Sequence, residues 1–213
     1  SVGKDELKKA MTGVHIDPSI GLVSTNAQIL QVNYFKNKLS ENLKGIAPKV
    51  FFELIDTDGY INADKDFYKW NNTNLSVISR KINLEFPDYD SIIPKFKETS
   101  VASIEIVLTK DILNAIELST VTMNKVTELI RVDVTKDNIT ISTSDIDFNV
   151  ESKKVVEVQS ICKGDVYSFG FNYTYFKLLN FKEGDIWMQE TPSRVIISKN
   201  NDNLKLLCPL LLN

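Results

Sequence analysis

The chain has 213 residues, 43% of them hydrophobic and 25% charged, with a formal net charge of −3. Those values fit an ordinary globular chain of one or two domains and exclude collagen-like, low-complexity and disordered classes. The acidic balance also excludes bulk nonspecific affinity for nucleic acid, though not a locally basic surface. No apolar run reaches about 18 residues, so no helical membrane span is expected. The polar start Ser1–Lys9 is not a signal peptide. Cys162 and Cys208 stand in apolar, strand-like settings and read as buried, reduced thiols of a cytoplasmic protein.

In chain order, Lys4 to Ala10 predicts one or two helical turns. Met11 to Ile16 alternates weakly and predicts a strand, and Pro18 and Gly21 frame a turn. Leu22 to Val32 predicts a second, longer strand with a polar centre. Lys36 to Lys44 is charged and predicts a loop. Tyr60-Ile61, Phe67–Trp70 and Leu75–Arg80 are strand signals separated by Asp and Asn turns. Two prolines, Pro87 and Pro94, then punctuate the segment Phe86–Pro94. Each fixes φ and biases its predecessor toward extended backbone. With the charged stretch Lys95–Ser100 behind it, the segment reads as a linker, giving domains at 1–90 and 95–213.

The second half opens with a strand, Ser103–Leu108. Thr109 is placed to cap a helix from Lys110 to about Val121, with Ile112, Leu113 and Ile116 forming its apolar stripe. Leu129–Val134 and Ile139–Ser142 flank a turn at Lys136-Asp137-Asn138 and predict a hairpin. Asp145–Val150 alternates strictly, and Val155–Ile161 reads as another strand. Tyr167, Phe169 and Phe171 alternate ahead of Asn172, which caps a second short helix, Tyr173 to about Phe181. Asp185–Glu190, Arg194–Ser198 and Leu204–Leu212 complete the strands. Two helices among roughly eight strands, counted by pattern, define an α+β plan.

Catalytic signals are sparse. His15 is the only histidine and reads as a solvated or hydrogen-bonded strand residue. No Cys or His pairs stand at zinc spacing and no glycine-rich phosphate loop exists. Asp145 and Asp147 fall on one face of a predicted strand, which favours a solvated sheet face over a metal pair. Asp56–Ile61 imitates the middle of a calcium loop, but Leu54 and Lys65 then occupy ligand positions that require oxygen. No metal, no cofactor and no enzymatic activity are expected. A hydrolase or nuclease would need a metal cluster that the sequence does not supply.

Several short motifs resemble one family. Phe86-Pro87-Asp88-Tyr89-Asp90-Ser91-Ile92-Ile93-Pro94 is very similar to the F-P-D-Y-x-x-[VI]-[LI]-P segment of bacterial DNA polymerase III sliding clamps (β subunits), where their second domain passes into their third. Met11-Thr12-Gly13-Val14 resembles their L-x-G-[VI]. Val23 to Leu30 resembles V-A-[TS]-D-[GA]-H-[RK]-L, with Asn26, Gln28 and Ile29 in place of the acid, imidazole and base. Ile46-Ala47-Pro48-Lys49 resembles the I-x-P-[RK] strand that leads into a short helix. Phe169–Tyr175 resembles [IF]-G-F-N-x-x-[YF], Thr191–Arg194 a D-P-x-R turn, and Leu206–Leu212 the closing V-M-P-[MV]-x-L. Nothing resembles the family's N-terminal domain, and the usual opening strand and full helix of the middle domain are missing or short.

The resemblance implies an α+β DNA-clamp fold in two domains, each packing short helices on antiparallel sheets. It implies rings of six such domains with helices lining the hole, which encircle duplex DNA without reading its sequence and act as processivity factors. Two-domain chains then form homo-oligomers, trimers if the chain is complete. The lysines expected to face DNA are Lys4, Lys8, Lys9, Lys49, Lys110, Lys177 and Lys182, because sliding needs cations toward phosphate. The implied partners are double-stranded DNA, the replicative polymerase, the clamp loader and other clamp-motif proteins. These proteins would dock peptides in a groove between the linker and the last domain. Carried over by motif, that groove comprises Met11, Thr25, Ala27, Ile29, Leu30, Pro87, Ser91, Ile92, Asn172, Tyr175, Pro192, Arg194, Leu207, Cys208, Pro209, Leu210 and Leu212. The alternative is a peptide-binding adaptor that docks replication proteins without closing a ring.

Overall fold

The computed structural model describes residues 6–55, 58–93, 103–162, 164–189, 196–210 and 212. The chain divides into two compact units, one of residues 1–93 with 201–204 and one of residues 94–200 with 205–213. The expected split at 1–90 and 95–213 differs from this division in the late segment 201–204.

The first unit opens with a 3-10 turn, Glu6–Thr12, broken at Lys8 by φ −113° and ψ 50°. Met11 therefore ends a turn instead of starting a strand. β1 (Gly13–Asp17), β2 (Gly21–Thr25) and β3 (Ile29–Tyr34) form an antiparallel meander, with β4 (Gly45–Pro48) on the free side of β1. The predicted single strand Leu22–Val32 is thus two strands, and its polar centre is the turn between them. Asn26 Oδ1 accepts the N–H groups of Gln28 (3.0 Å) and Ile29 (2.9 Å), while Thr25 Oγ1 accepts that of Ala27 (3.1 Å). Ala27 sits at φ 74°. Side-chain bonds of this kind outcompete a ladder, and left-handed backbone ends a strand. Asp202 O accepts the Tyr34 N–H at 2.8 Å, which is how the late segment joins this unit.

α1 (Lys49–Leu54) follows Pro48 directly and packs against β4. A second sheet holds β5 (Tyr60–Ala63), β6 (Phe67–Asn71) and β7 (Ser76–Arg80). β6 alternates strictly, with Tyr68 and Trp70 inward and Phe67, Lys69 and Asn71 outward. The inward rings meet Phe51 of α1, Ile16, Leu43 and Val77 in the unit's core. The calcium-like stretch cannot be traced throughout, since Asp56 and Thr57 lie outside the described residues.

The proline-bearing segment is not a free strap. Phe86 stacks on His15 of β1 (centroids 4.9 Å, planes 14° apart), and Tyr89 closes the group at 6.2 Å from both rings. The Tyr89 hydroxyl donates to Asp17 Oδ2 at 3.1 Å. His15 is therefore half-buried under aromatic carbon, with Nδ1 lacking a hydrogen-bond partner. Burial is the largest influence on its titration and pushes its pKa below the usual 6.5, with Lys44 acting in the same sense and Asp17 opposing. The fold accepts the neutral ring. As pH falls through 6.5 the unfolded chain takes up a proton that the folded ring resists, and stability is lost. The urea midpoint should fall between pH 7 and pH 5, and His15→Phe should flatten that slope. Equal slopes in both proteins would contradict the assignment.

In the second unit β8 (Ile104–Val107) leads to α2 (Lys110–Ser119). Thr109 Oγ1 accepts the Ile112 N–H at 3.3 Å, which is the expected cap. Ile112, Ala115, Ile116 and Ser119 are buried, and Leu118 points to water. Ser119 tolerates the core because its hydroxyl donates to Ala115 O at 2.7 Å. β9 (Leu129–Val134), β10 (Asn138–Asp145) and β11 (Val150–Glu157) follow, then β12 (Ser160–Cys162) and β13 (Tyr167–Asn172). The alternating stretch Asp145–Val150 is a turn and not a strand, closed by Asn149 at φ 52°. Asp145 and Asp147 therefore share no strand face. Val155–Ile161 likewise divides between β11 and β12.

α3 (Tyr173–Leu179) starts at its Asn172 cap and stops at Asn180, a left-handed residue, so Lys182 lies beyond the helix. β14 (Ile186–Gln189), β15 (Ile196–Lys199) and β16 (Asn203–Leu207), the last from Lys205 onward, complete the described strands of the unit. β16 is shorter than predicted because Pro209 has no N–H to offer a ladder. The described part of the unit thus holds two sheets, ordered β12-β8-β14-β15-β16 and β11-β10-β9-β13, with α2 packed on β10 and β11. Neither thiol is in a disulfide, and both are half-buried, not fully buried as predicted.

Among the described residues one ion pair of this unit is buried. Lys205 Nζ donates to Asp185 Oδ2 at 2.6 Å and to Asn180 O at 3.1 Å, with only 6% of Lys205 exposed. Asp185 Oδ2 also accepts the Lys182 N–H at 2.9 Å, so the pair pins the chain leaving α3. Breaking a buried pair from one side leaves an uncompensated charge. Lys205→Met should destabilise the protein by about 3–5 kcal/mol in chemical denaturation, and adding Asp185→Asn should recover part of the loss. A loss under about 1 kcal/mol would place the pair in effective solvent.

Candidate functional site

The residues expected to hold a peptide divide between the units. In the first, Thr25 is spent on its own turn, since its hydroxyl donates to Ile29 O at 2.7 Å. Ala27 is exposed at the turn's tip, and Met11 is half-buried. Ile29 and Leu30 are core residues, 1% and 2% exposed, so they shape the backbone and offer no open surface. Pro87 is half-buried, Ser91 exposed and Ile92 half-exposed, on a turn in which the Ser91 hydroxyl donates to Asp88 O at 3.0 Å. Pro192 and Arg194 lie outside the described residues.

In the second unit the α3 cap and the closing segment both meet β13 and make the candidate wall. Asn172 ends β13 with extended backbone, and its Oδ1 accepts the Tyr175 N–H at 3.1 Å, so the cap fixes where Tyr175 leaves α3. Its amide nitrogen donates to Thr127 O at 3.2 Å, and the Tyr173 N–H to Glu128 O at 2.9 Å. The cap is thus tied to the loop before β9. Beyond β16, Leu210 N donates to Gly170 O at 2.9 Å, which seats the closing Cys208-Pro209-Leu210 against β13. Leu207 is buried outright, while Cys208, Pro209, Leu210 and Leu212 remain half-buried. Burial also pushes the Cys208 thiol above its usual range, so it behaves as a small apolar group. The wall is apolar with a tyrosine and an amide at its edge, the composition of a ligand surface.

Gly170 falls inside the Phe169–Tyr175 motif, and the structure gives it a role. A Cβ there would stand 2.7 Å from Leu212 Cδ2 and 2.8 Å from Leu129 Cδ1. The glycine lets the tail lie flat on β13. Gly170→Ala should leave the melting temperature within a few degrees, because both neighbours are flexible side-chain ends, and should increase amide exchange at Leu210. Unchanged exchange at Leu210 would show that the tail does not depend on this contact.

The lysines expected to face DNA are scattered. Lys8 and Lys9 are exposed on the opening 3-10 turn, and Lys4 lies outside the described residues. Lys49 is paired with Glu53 at 2.7 Å. Lys110 and Lys177 are exposed on α2 and α3, and Lys182 is exposed in the turn after α3. The three described α-helices carry Lys49, Lys110 and Lys177 against Glu53, Asp111 and Glu117, so their faces are close to neutral. Glu117 is engaged by the Tyr173 hydroxyl, which ties α2 to α3. Burial, and then Glu117, push that hydroxyl up to about 12. Among the described residues no cluster of three His, Cys, Asp or Glu is placed to hold a metal. No described helix is long and apolar enough to cross a membrane.

This arrangement of paired antiparallel sheets with short helices is the fold of DNA sliding clamps. The solved structures it matches are DNA polymerase III beta subunits. Against that of Pseudomonas aeruginosa the TM-score is 0.83 at 15% identity, over 99% of this chain and 61% of that one. The Borrelia burgdorferi subunit, solved in complex with a natural product, gives 0.84 at 19% identity over 100% of this chain and 58% of that one. The Thermotoga maritima subunit gives 0.82 at 16%, over 100% and 61%. The chain spans about three fifths of the length of the clamps it matches. No family model and no curated protein matches the sequence.

Proposed function

We propose that this chain works as a DNA sliding clamp, a non-enzymatic processivity factor that holds duplex DNA topologically and tethers a polymerase by a short peptide. The observation that carries this reading is the wall of the second unit. There the Asn172 cap, which holds the Tyr175 N–H, and the tail residue Leu210 both meet β13, on a fold shared with DNA polymerase III beta subunits. The two units act as clamp domains of the middle and C-terminal kind. The ring is closed by further copies of the chain, in the cytoplasm, around DNA whose sequence it does not read. Partners are the replicative polymerase, the clamp loader and other proteins with a clamp-binding motif. An apolar anchor of Leu or Phe type lies against Tyr175 and Leu210 as the hot spot.

One observation favours a second reading, an adaptor that docks replication proteins without encircling DNA. The near-neutral helix faces offer little attraction for phosphate. Native mass separates the two, since a ring requires an oligomer and an adaptor does not.

The peptide claim is tested by titrating a fluorescent clamp-binding peptide into wild type and into Tyr175→Ala with Leu210→Asp. The double variant should bind at least about tenfold more weakly with its circular dichroism unchanged. Equal binding to both proteins would remove the wall from the function.

A further inference from the structure

The first unit presents a sheet face that the function above leaves unused. In the antiparallel sheet β5-β6-β7 the inward rings of Tyr68 and Trp70 share a core with Phe51 of α1, so the opposite face looks away from that helix. Every outward position of the three strands is exposed.

The register sets those positions in rows. Tyr60, Asn71 and Ser76 stand opposite one another, as do Asn62, Lys69 and Ile78, and Phe67 faces Arg80. Tyr60 is 85% exposed, Ile78 63% and Phe67 39%. One exposed ring is ordinary, but two rings and an isoleucine on one face of three short strands make a patch. Four residues of rise and one strand spacing put the two rings roughly 14 Å apart, so they would serve two separate planar groups.

The charge of this face runs against that of the chain. The formal net charge is −3, yet the outward positions carry Lys69 and Arg80 and no carboxylate. Lys69 reaches Asp64 in the β5–β6 turn at 2.9 Å, an exposed pair of a kind that contributes little and that a phosphate can replace. Among the described residues Arg80 has no ion pair. Asp64 and Asp66 keep the β5–β6 turn acidic, so a polyanion would lie toward β7, along Arg80. Exposed rings beside unmatched cations on a flat sheet suit a ligand with both planar bases and phosphates.

We propose that the outward face of β5-β6-β7 binds single-stranded nucleic acid, with bases stacked on Tyr60 and Phe67 and phosphates against Arg80 and Lys69. Such stacking tolerates any sequence, because every base has a π-face. A duplex is refused because its bases are already stacked on one another. The site is distinct from the helix lysines expected to face duplex DNA, belongs to one unit and needs no closed ring.

The test is a titration of the isotopically labelled full chain, followed by amide shifts, with a short oligothymidylate, an oligouridylate of equal length and a hairpin duplex of equal charge. The single strands should move Tyr60, Asn62, Lys69 and Ile78, and the duplex should not; the tighter of the two strands names DNA or RNA as the ligand. Tyr60→Ala with Phe67→Ala should weaken the single strand at least about tenfold, since two bases lose their platform, while Tyr60→Phe keeps the affinity. Arg80→Glu should weaken binding and flatten its salt dependence. These positions are exposed, so each variant should melt within a few degrees of wild type. Tyr175→Ala should bind the strand as wild type does, and the Tyr60 and Phe67 changes should leave binding of the clamp-binding peptide intact, which separates this site from the peptide wall. Absence of shifts at these amides, or binding of the duplex as tight as that of the single strand, would overturn the proposal. So would concentration-dependent shifts of the same amides without oligonucleotide, which would give the face to a second copy of the chain.

Discussion

Trp187 of β14 is the contact on which the second unit depends. Four phenylalanines surround it, Phe169, Phe171, Phe176 and Phe181, with ring centroids 5.5–6.1 Å away and steep interplanar angles. Two come from β13, one from α3 and one from the chain just past it, so a single indole joins strands of both sheets to the helix between them. Edge-to-face pairs of this kind contribute about 0.5–1.5 kcal/mol each beyond their buried area. The functional consequence lies one turn away. With Phe176 fixed, the start of α3 cannot rotate, and the Asn172 cap keeps its hold on the Tyr175 N–H. Lys205 stands 5.2 Å over the Phe181 ring while it binds Asp185, so the buried ion pair braces the same aromatic group from the far side.

The first unit is braced by a different device. His15, Phe86 and Tyr89 form a small aromatic group that seats the proline-bearing segment on β1, with Asp17 holding the tyrosine hydroxyl. A segment that the prolines alone make extended becomes part of the unit's surface. The histidine takes part as an aromatic ring and not as a base, and that explains why the only histidine of the chain has no catalytic neighbours.

Much of the fold was legible because local chemistry and tertiary structure agree. Thr109 and Asn172 cap helices at the predicted positions, since a side-chain oxygen ahead of an apolar stripe has few other uses. The expected strand at Phe67–Trp70 forms because its inward rings have a core to enter. The failures are places where a polar side chain competes with the backbone ladder. Asn26 and Thr25 turn the chain inside what reads as one strand, and nothing in hydrophobic periodicity announces φ 74° at Ala27. Asp145–Val150 has period two, yet Ile146 and Phe148 point to water, because Asp145 accepts the Asp147 N–H and starts a turn. Of the site, the helix cap and closing motif were readable as short patterns. The link between the turn after α2 and the β10–β11 turn was not, for the two lie some twenty residues apart and are bridged by the Asn124 amide.

On the proposed reading, balanced charge on the three described helices bears on how DNA is held. Lysines matched by carboxylates give little counterion release, so grip by phosphate contacts alone is weak and salt-sensitive. A closed ring needs no such grip, because its hold is topological. The most direct measurement is retention on nicked circular DNA, loaded with a clamp loader, in salt that screens phosphate contacts, before and after the DNA is linearised. The account predicts protein held on the circle and released once an end is cut. Equal retention on circular and linear DNA, or none on either, would contradict it.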